Sequence, residues 1–281
     1  MKTSTQLKAL LRNLSKDKGI NAEILLRNFM LERLLERISL SKYKDQFILK
    51  GGMLIAAIVG IDARATMDMD ATIMGFELTE EKLESIFNEI LSIPMDDGVH
   101  MKLTKLEDIR DEAEYPGMRV SIESIFDKTR QTMKVDITTG DKITPRAIEY
   151  QFQLLLEDRA ISILAYNLET IFAEKLETIL SRGVANTRMR DYYDVHILME
   201  LHEQNLNDEL LNEAFVKTAK NRGTFDNIKN NSSEYLQAIE SSEVLLSLWE
   251  RYRVNNDYAL DIRWEDTLNS MKRAFSKIDL S

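Results

Sequence analysis

The chain has no cysteine, only three histidines and only three prolines among its 281 residues. Without cysteine there are no disulfides, no thiolate metal ligands and no thiol nucleophile, and His100, His196 and His202 are too scattered for a zinc site. Any metal would have to be held by oxygen. No apolar run approaches the roughly 20 residues of a membrane span, and the N-terminal stretch MKTSTQLKALLRNLSKDKG lacks the apolar centre of a signal peptide. The expectation is a cytoplasmic protein with no membrane partner. Positive charge is also in short supply: the net charge is −10, which argues against a whole-surface affinity for nucleic acid. The deficit is uneven, because residues 1–50 carry 11 Lys and Arg against 5 Asp and Glu. A local basic face therefore remains compatible with the composition.

A hydrophobic content of 44% is enough to bury an ordinary globular core. The breakers Pro94, Pro116 and Pro145, and eight of the ten glycines, all fall before residue 146, which leaves the remainder free for long helices. An amphipathic helix is expected from an Asn21 cap, with Ile24, Leu25, Phe29, Leu31, Leu35 and Ile38 inward and its charged residues outward. Strands are expected at Gln46–Leu49, around Asp68–Phe76, and at Val99–Leu106, Met118–Ile125 and Thr132–Thr138, with helices at Met53–Val59 and Thr79–Leu91. From the Asn167 cap onward the pattern is helical: a helix ending at Gly183, then Arg188–His202, Asn207–Asn221, Ser233–Tyr252 broken near Ser241, and Ile262–Phe275. The fold class is α+β, a mixed sheet flanked by helices over 1–160, followed by a helical bundle over 161–281.

The chemistry concentrates in FILKGGMLIAAIVGIDARATMDMDATI, residues 47–73. In a strand, Asp68 and Asp70 point to one face while Met69 points to the other, into the core. Two like charges that close either lie on a solvated face or call for a cation. Asp136, between Val135 and Ile137, sits in another strand-like run against β propensity. If the two strands are neighbours, three carboxylates converge, and two Mg²⁺ ions (or Mn²⁺) between them and about four triphosphate charges would balance well. That is the charge pattern of nucleotidyl transfer from an NTP. Gly51 and Gly52, ahead of a helix, either make a structural turn or bring backbone N–H groups to a phosphate, with Lys50, Arg64 and Thr66 as candidate contacts. The loop is neither a Walker A nor a dinucleotide fingerprint.

The stretch LKGGMLIAAIVGIDARATMDMDATI resembles the first motif of the AbiEii/AbiGii toxin family, nucleotidyltransferases of the DNA polymerase β superfamily, in which Gly-Gly or Gly-Ser precedes a metal-binding Asp-x-Asp. The family's K-x-x-A-h-h-x-R helix is matched by EKLETILSR, with Lys175 and Arg182 in place and Thr178 where alanine is usual. Its D-x-x-D is matched by Asp191 and Asp194 in RMRDYYDVHIL. The resemblance spans about Leu25 to Leu198. It implies a nucleotidyltransferase-like first domain and a helical domain completing the active-site cleft. Asp68 and Asp70 would be catalytic and hold Mg²⁺, with Asp136 as third carboxylate. Lys175 and Asp194 would be catalytic as well, and Arg182 and Asp191 would serve the nucleotide, Asp191 by pairing Lys175 or Arg188. It also implies a toxin of a toxin–antitoxin system in abortive infection against phage, a tRNA 3′ end as acceptor, and a winged-helix cognate antitoxin. Tyr192 and Tyr193 fit either a core or a base-stacking place, and SRGVANTRMR either a surface loop or a docking site for acceptor RNA. Transfer to a protein or a small molecule, and a non-catalytic nucleotide-binding module, are the rival readings.

Overall fold

The computed structural model describes residues 3–109 and 117–280, so Pro116 lies outside the described residues. Two compact units share the chain: Met1–Asp141 with Ala147–Tyr166, and Lys142–Arg146 with Asn167–Ser281.

In the first unit, α1 (Ser4–Lys18) starts where the Thr3 side chain accepts the Gln6 N–H. Helix α2 (Ala22–Leu40) is capped by Asn21 and buries Leu25, Phe29, Leu31, Leu35 and Ile38, as the periodicity predicts. The expectation that its charges face outward is overturned: Glu32, Arg33, Glu36 and Arg37 are all buried. Each has a partner far away in sequence. Both Glu32 oxygens accept the Leu155 N–H (3.0 and 3.1 Å), Arg33 meets Glu157 (2.6 Å), and Arg37 grips Asp97 and donates to the Val99 carbonyl (2.8 Å). Helical periodicity reports one apolar stripe and is blind to what later segments lay over the others.

Seven strands, β1 (Phe47–Lys50), β2 (Met69–Ile73), β3 (Val99–Asp108), β4 (Gly117–Phe126), β5 (Thr129–Thr139), β6 (Ile148–Gln153) and β7 (Ala160–Ala165), form one sheet in the order β3-β4-β5-β2-β1-β7-β6. β2–β5 and β1–β7 are parallel and the other pairs antiparallel, so the sheet is mixed. Helix α3 (Gly51–Val59) follows β1 directly, and α4 (Glu80–Leu91) starts on a Thr79 cap. Strands β6 and β7 go beyond the sequence expectation. β6 is an edge strand that buries only Phe152, so it shows no apolar alternation to read.

The second unit is helical: α5 (Leu168–Arg182), α6 (Met189–His202), α7 (Asp208–Asn221), α8 (Phe225–Glu240), α9 (Glu243–Val254) and α10 (Trp264–Phe275). Asn167 caps α5 by accepting the Thr170 N–H (2.9 Å), and its amide donates to the Thr144 carbonyl (2.6 Å). Helix α8 begins at Phe225 rather than Ser233; the poor formers Asn230, Asn231, Ser232 and Ser233 in its middle mask its first half in the sequence. Among the described residues no helix is long and apolar enough to cross a membrane.

Candidate active site

Strand register builds the first cluster. Lys50 on β1 lies opposite Asp70 on β2, Asp70 opposite Asp136 on β5, and Asp136 opposite Arg119 on β4. Directly paired residues share a sheet face, so four charged side chains form a row across four strands, two carboxylates flanked by two cations. Met69 is fully buried on the other face, as its place between two aspartates requires. Asp68 is exposed and immediately precedes β2.

The glycine pair is shaped by this row. Gly51 has φ 64°, in the left-handed region, and a Cβ there would come within 2.1 Å of Asp70 Oδ2. A Cβ on Gly52 would meet the Arg64 guanidinium and Thr66 Oγ1, both at 2.8 Å. Lys50 gives α3 no side-chain cap; instead the Gly52 N–H donates to Asp70 Oδ2 at 3.3 Å. A carboxylate at a helix N-terminus is favoured by the helix dipole, and here it aims Asp70 along the turn. Arg64 and Thr66 are buried against the glycines, with the Thr66 carbonyl held by Asn28 (2.7 Å).

Two residues of the cluster escape a reading of the sequence. Arg119 holds Asp136 as a fork, Nε to Oδ1 and Nη2 to Oδ2, each 2.7 Å. The hydrogen-bonded Asp136 raises the guanidinium's already high pKa, and the charges of Asp68 and Glu107 add to the effect. Asp141 is the second: its Oδ2 accepts from Lys50 Nζ (2.9 Å) and Thr138 Oγ1 (2.6 Å). Burial pushes the Asp141 carboxyl up, but Lys50, Thr138 and Thr72 outweigh it and hold it below the usual range. Arg119 reads in sequence as an ordinary outward residue of an alternating strand, and Asp141 as a loop acid; only register pairs them with the motif.

The second unit carries its own cluster. Lys175 on α5 donates to Asp191 Oδ1 at 2.6 Å and approaches Asp194 Oδ2 at 3.0 Å. Asp194 is fully buried, and Asp191 Oδ2, also buried, has no hydrogen-bond partner among the described residues. Tyr192 and Tyr193 are both core: Tyr192 packs edge-on to Trp264, and Tyr193 contacts Tyr252 and Tyr258. Arg182 ends α5, and SRGVANTRMR includes a 3₁₀ turn (Gly183–Ala185) and a fully buried Asn186.

The oxygen donors of Asp68 and Asp70 suit a hard cation such as Mg²⁺. Asp136 is a neighbour of Asp70, but both of its oxygens are engaged by Arg119. Among the described residues no three carboxylates or histidines are gathered as a ready metal-ligand set.

In comparisons with known proteins, no curated protein matches the chain. Solved structures similar to it include JHP933 from Helicobacter pylori (16% identity, TM-score 0.49, covering 92% of this chain and 94% of that one). They also include an antigenic nucleotidyltransferase-like protein from Paracoccidioides brasiliensis (14%, 0.39, 86% and 95%). The family model described as nucleotidyl transferase AbiEii toxin, type IV toxin–antitoxin system, matches residues 33–270, which extends past the three motifs into the later helices. With that match over most of its length, the chain belongs to the AbiEii family of nucleotidyl transferase toxins of type IV toxin–antitoxin systems.

Proposed function

We propose that this protein transfers a nucleoside monophosphate from an NTP to the 3′ end of tRNA and so blocks translation, in a phage-defence system with a winged-helix antitoxin. The acceptor hydroxyl oxygen forms a bond to the α-phosphorus, the α–β phosphoanhydride bond breaks, and pyrophosphate leaves. The observation that carries the reading is the row of Asp70 and Asp136 between Lys50 and Arg119, beside a glycine turn built against Asp70.

Asp68 and Asp70 are the proposed holders of a divalent cation, Mg²⁺ or Mn²⁺, with Asp136 beside them. Bound there, the cation would supply charge neutralisation and a lowered pKa for the attacking hydroxyl. Gly51 and Gly52 let the backbone come close to a phosphate, since no Cβ intervenes. Lys50, Arg64 and Thr66 surround the turn as cation and hydroxyl contacts. In the second unit the family motif assigns Lys175 and Asp194 to the reaction and Arg182 and Asp191 to the nucleotide. The short Lys175–Asp191 contact supports one part of that, by fixing the lysine's position. The cytoplasm, where NTPs and tRNA meet, is the proposed place of action.

Asp68→Asn is the cleanest test, because Asp68 is exposed, whereas Asp70 also caps α3. With labelled NTPs, total tRNA and cell extract, the wild-type chain should label tRNA, and Asp68→Asn should lower the rate by at least about 100-fold with an unchanged melting temperature. Label on protein or on a small molecule alone would move the acceptor to that class. Growth arrest that persists in Asp68→Asn with no label transferred would mark a non-catalytic module.

A further inference from the structure

The charge row contains one cation that the expected chemistry does not use. Arg119 spends two of its five guanidinium donors on Asp136, and no other hydrogen bond from its side chain occurs among the described residues. Its side chain is 40% exposed, and half-exposed ion pairs of this kind add little to stability, so folding alone does not account for the placement. Register places it beside the proposed metal-binding motif, opposite Asp136 on β5 and Glu107 on β3, and the charges of Asp68 and Glu107 act on it as well.

We propose that Arg119 is a phosphate-binding cation that rests on Asp136 and competes with a divalent metal ion for that carboxylate. The proposal rests on the nucleotidyl-transfer reading and deepens it. With a guanidinium donor on each Asp136 oxygen at 2.7 Å, that carboxylate is a weakened metal ligand, and Asp68 and Asp70 are left as the principal metal-binding pair. A planar guanidinium matches a phosphate as well as it matches a carboxylate, and its unspent donors are open to one. Arg119 therefore holds two opposed roles: it subtracts from metal affinity in the free protein and adds to nucleotide affinity. A residue serving only the fold would not push these two affinities in opposite directions.

The test uses the full chain and two variants, Arg119→Gln and Arg119→Lys. Mn²⁺ binding without nucleotide is followed by electron paramagnetic resonance. Binding of each of the four α,β-methylene ribonucleoside triphosphates in Mg²⁺ is followed by calorimetry. Arg119→Gln should bind Mn²⁺ severalfold more tightly and the nucleotide that binds best about tenfold more weakly. Arg119→Lys, which keeps the charge without the fork, should recover part of the nucleotide affinity. Both affinities falling together, or neither changing, overturns the role of Arg119 while leaving the transferase reading in place. A wild-type chain that binds none of the four nucleotides overturns that reading and this proposal with it.

Discussion

Gly51 is the residue on which the first cluster turns. Its φ of 64° and the approach of Asp70 Oδ2 leave no room for a side chain, so the two ends of the motif, far apart along the chain, touch through a missing Cβ. Gly19 has a nearly equal φ of 68° but nothing within 4 Å of where its Cβ would be. The two therefore separate backbone strain from contact. Gly19→Ala should cost about 1 kcal/mol in urea unfolding, and Gly51→Ala clearly more, since Asp70 must also move. Equal losses would mean that the Asp70 contact contributes nothing. At this scale the candidate motif was legible: Asp68, Asp70 and the glycine pair stand out by type and spacing. Arg119 did not, because one arginine in an alternating strand carries no signal until its register with Asp136 is known.

Among the elements, α2 shows what periodicity leaves out. Its apolar stripe was readable, but its charged flanks are covered by segments around Asp97 and Leu155 that lie far along the chain. Burial pushes the Glu32 carboxyl from 4.5 to about 8, against the opposing pull of the Leu155 N–H and Arg33; Glu157 and Glu36 add to the rise. Because the folded pKa lies above the unfolded one, this group's contribution to stability is complete below about pH 4.5 and is lost as pH rises through 8. The slope is at most about 1.4 kcal/mol per pH unit. Denaturation curves of the wild type should therefore show a loss between pH 5 and 8 that Glu32→Gln reduces; parallel curves would refute the assignment. The same blindness hid β6 and β7. A parallel partner such as β1 for β7 is more than a hundred residues away, so local pattern cannot announce it.

For the whole molecule the uneven charge is the governing fact. A chain of net −10 whose first 50 residues hold 11 basic against 5 acidic side chains has a net positive segment there and a net negative remainder. On α1, Lys8, Arg12 and Lys16 recur every four residues, hence on one helix face, and all three are exposed. If the acceptor is tRNA, replacing the three by glutamine should weaken tRNA binding severalfold at low salt, with the difference fading at high salt and nucleotide binding unchanged. An unchanged tRNA affinity would remove α1 from the acceptor surface.

By itself the sequence determined the fold class, the helical second half, the cap at Asn167, and the residue types of both clusters, because these rest on local spacing and on the chemistry of single side chains. Tertiary structure alone decided which carboxylates are neighbours and which cations answer them. Asp70 and Asp136 meet only because β2 lies parallel to β5. Arg119 and Lys50 join them only through β4 and β1, and Asp141 is drawn in by Lys50. Strand pairing joins segments that share no local pattern, and the electrostatics of a site depend on distances that pairing sets.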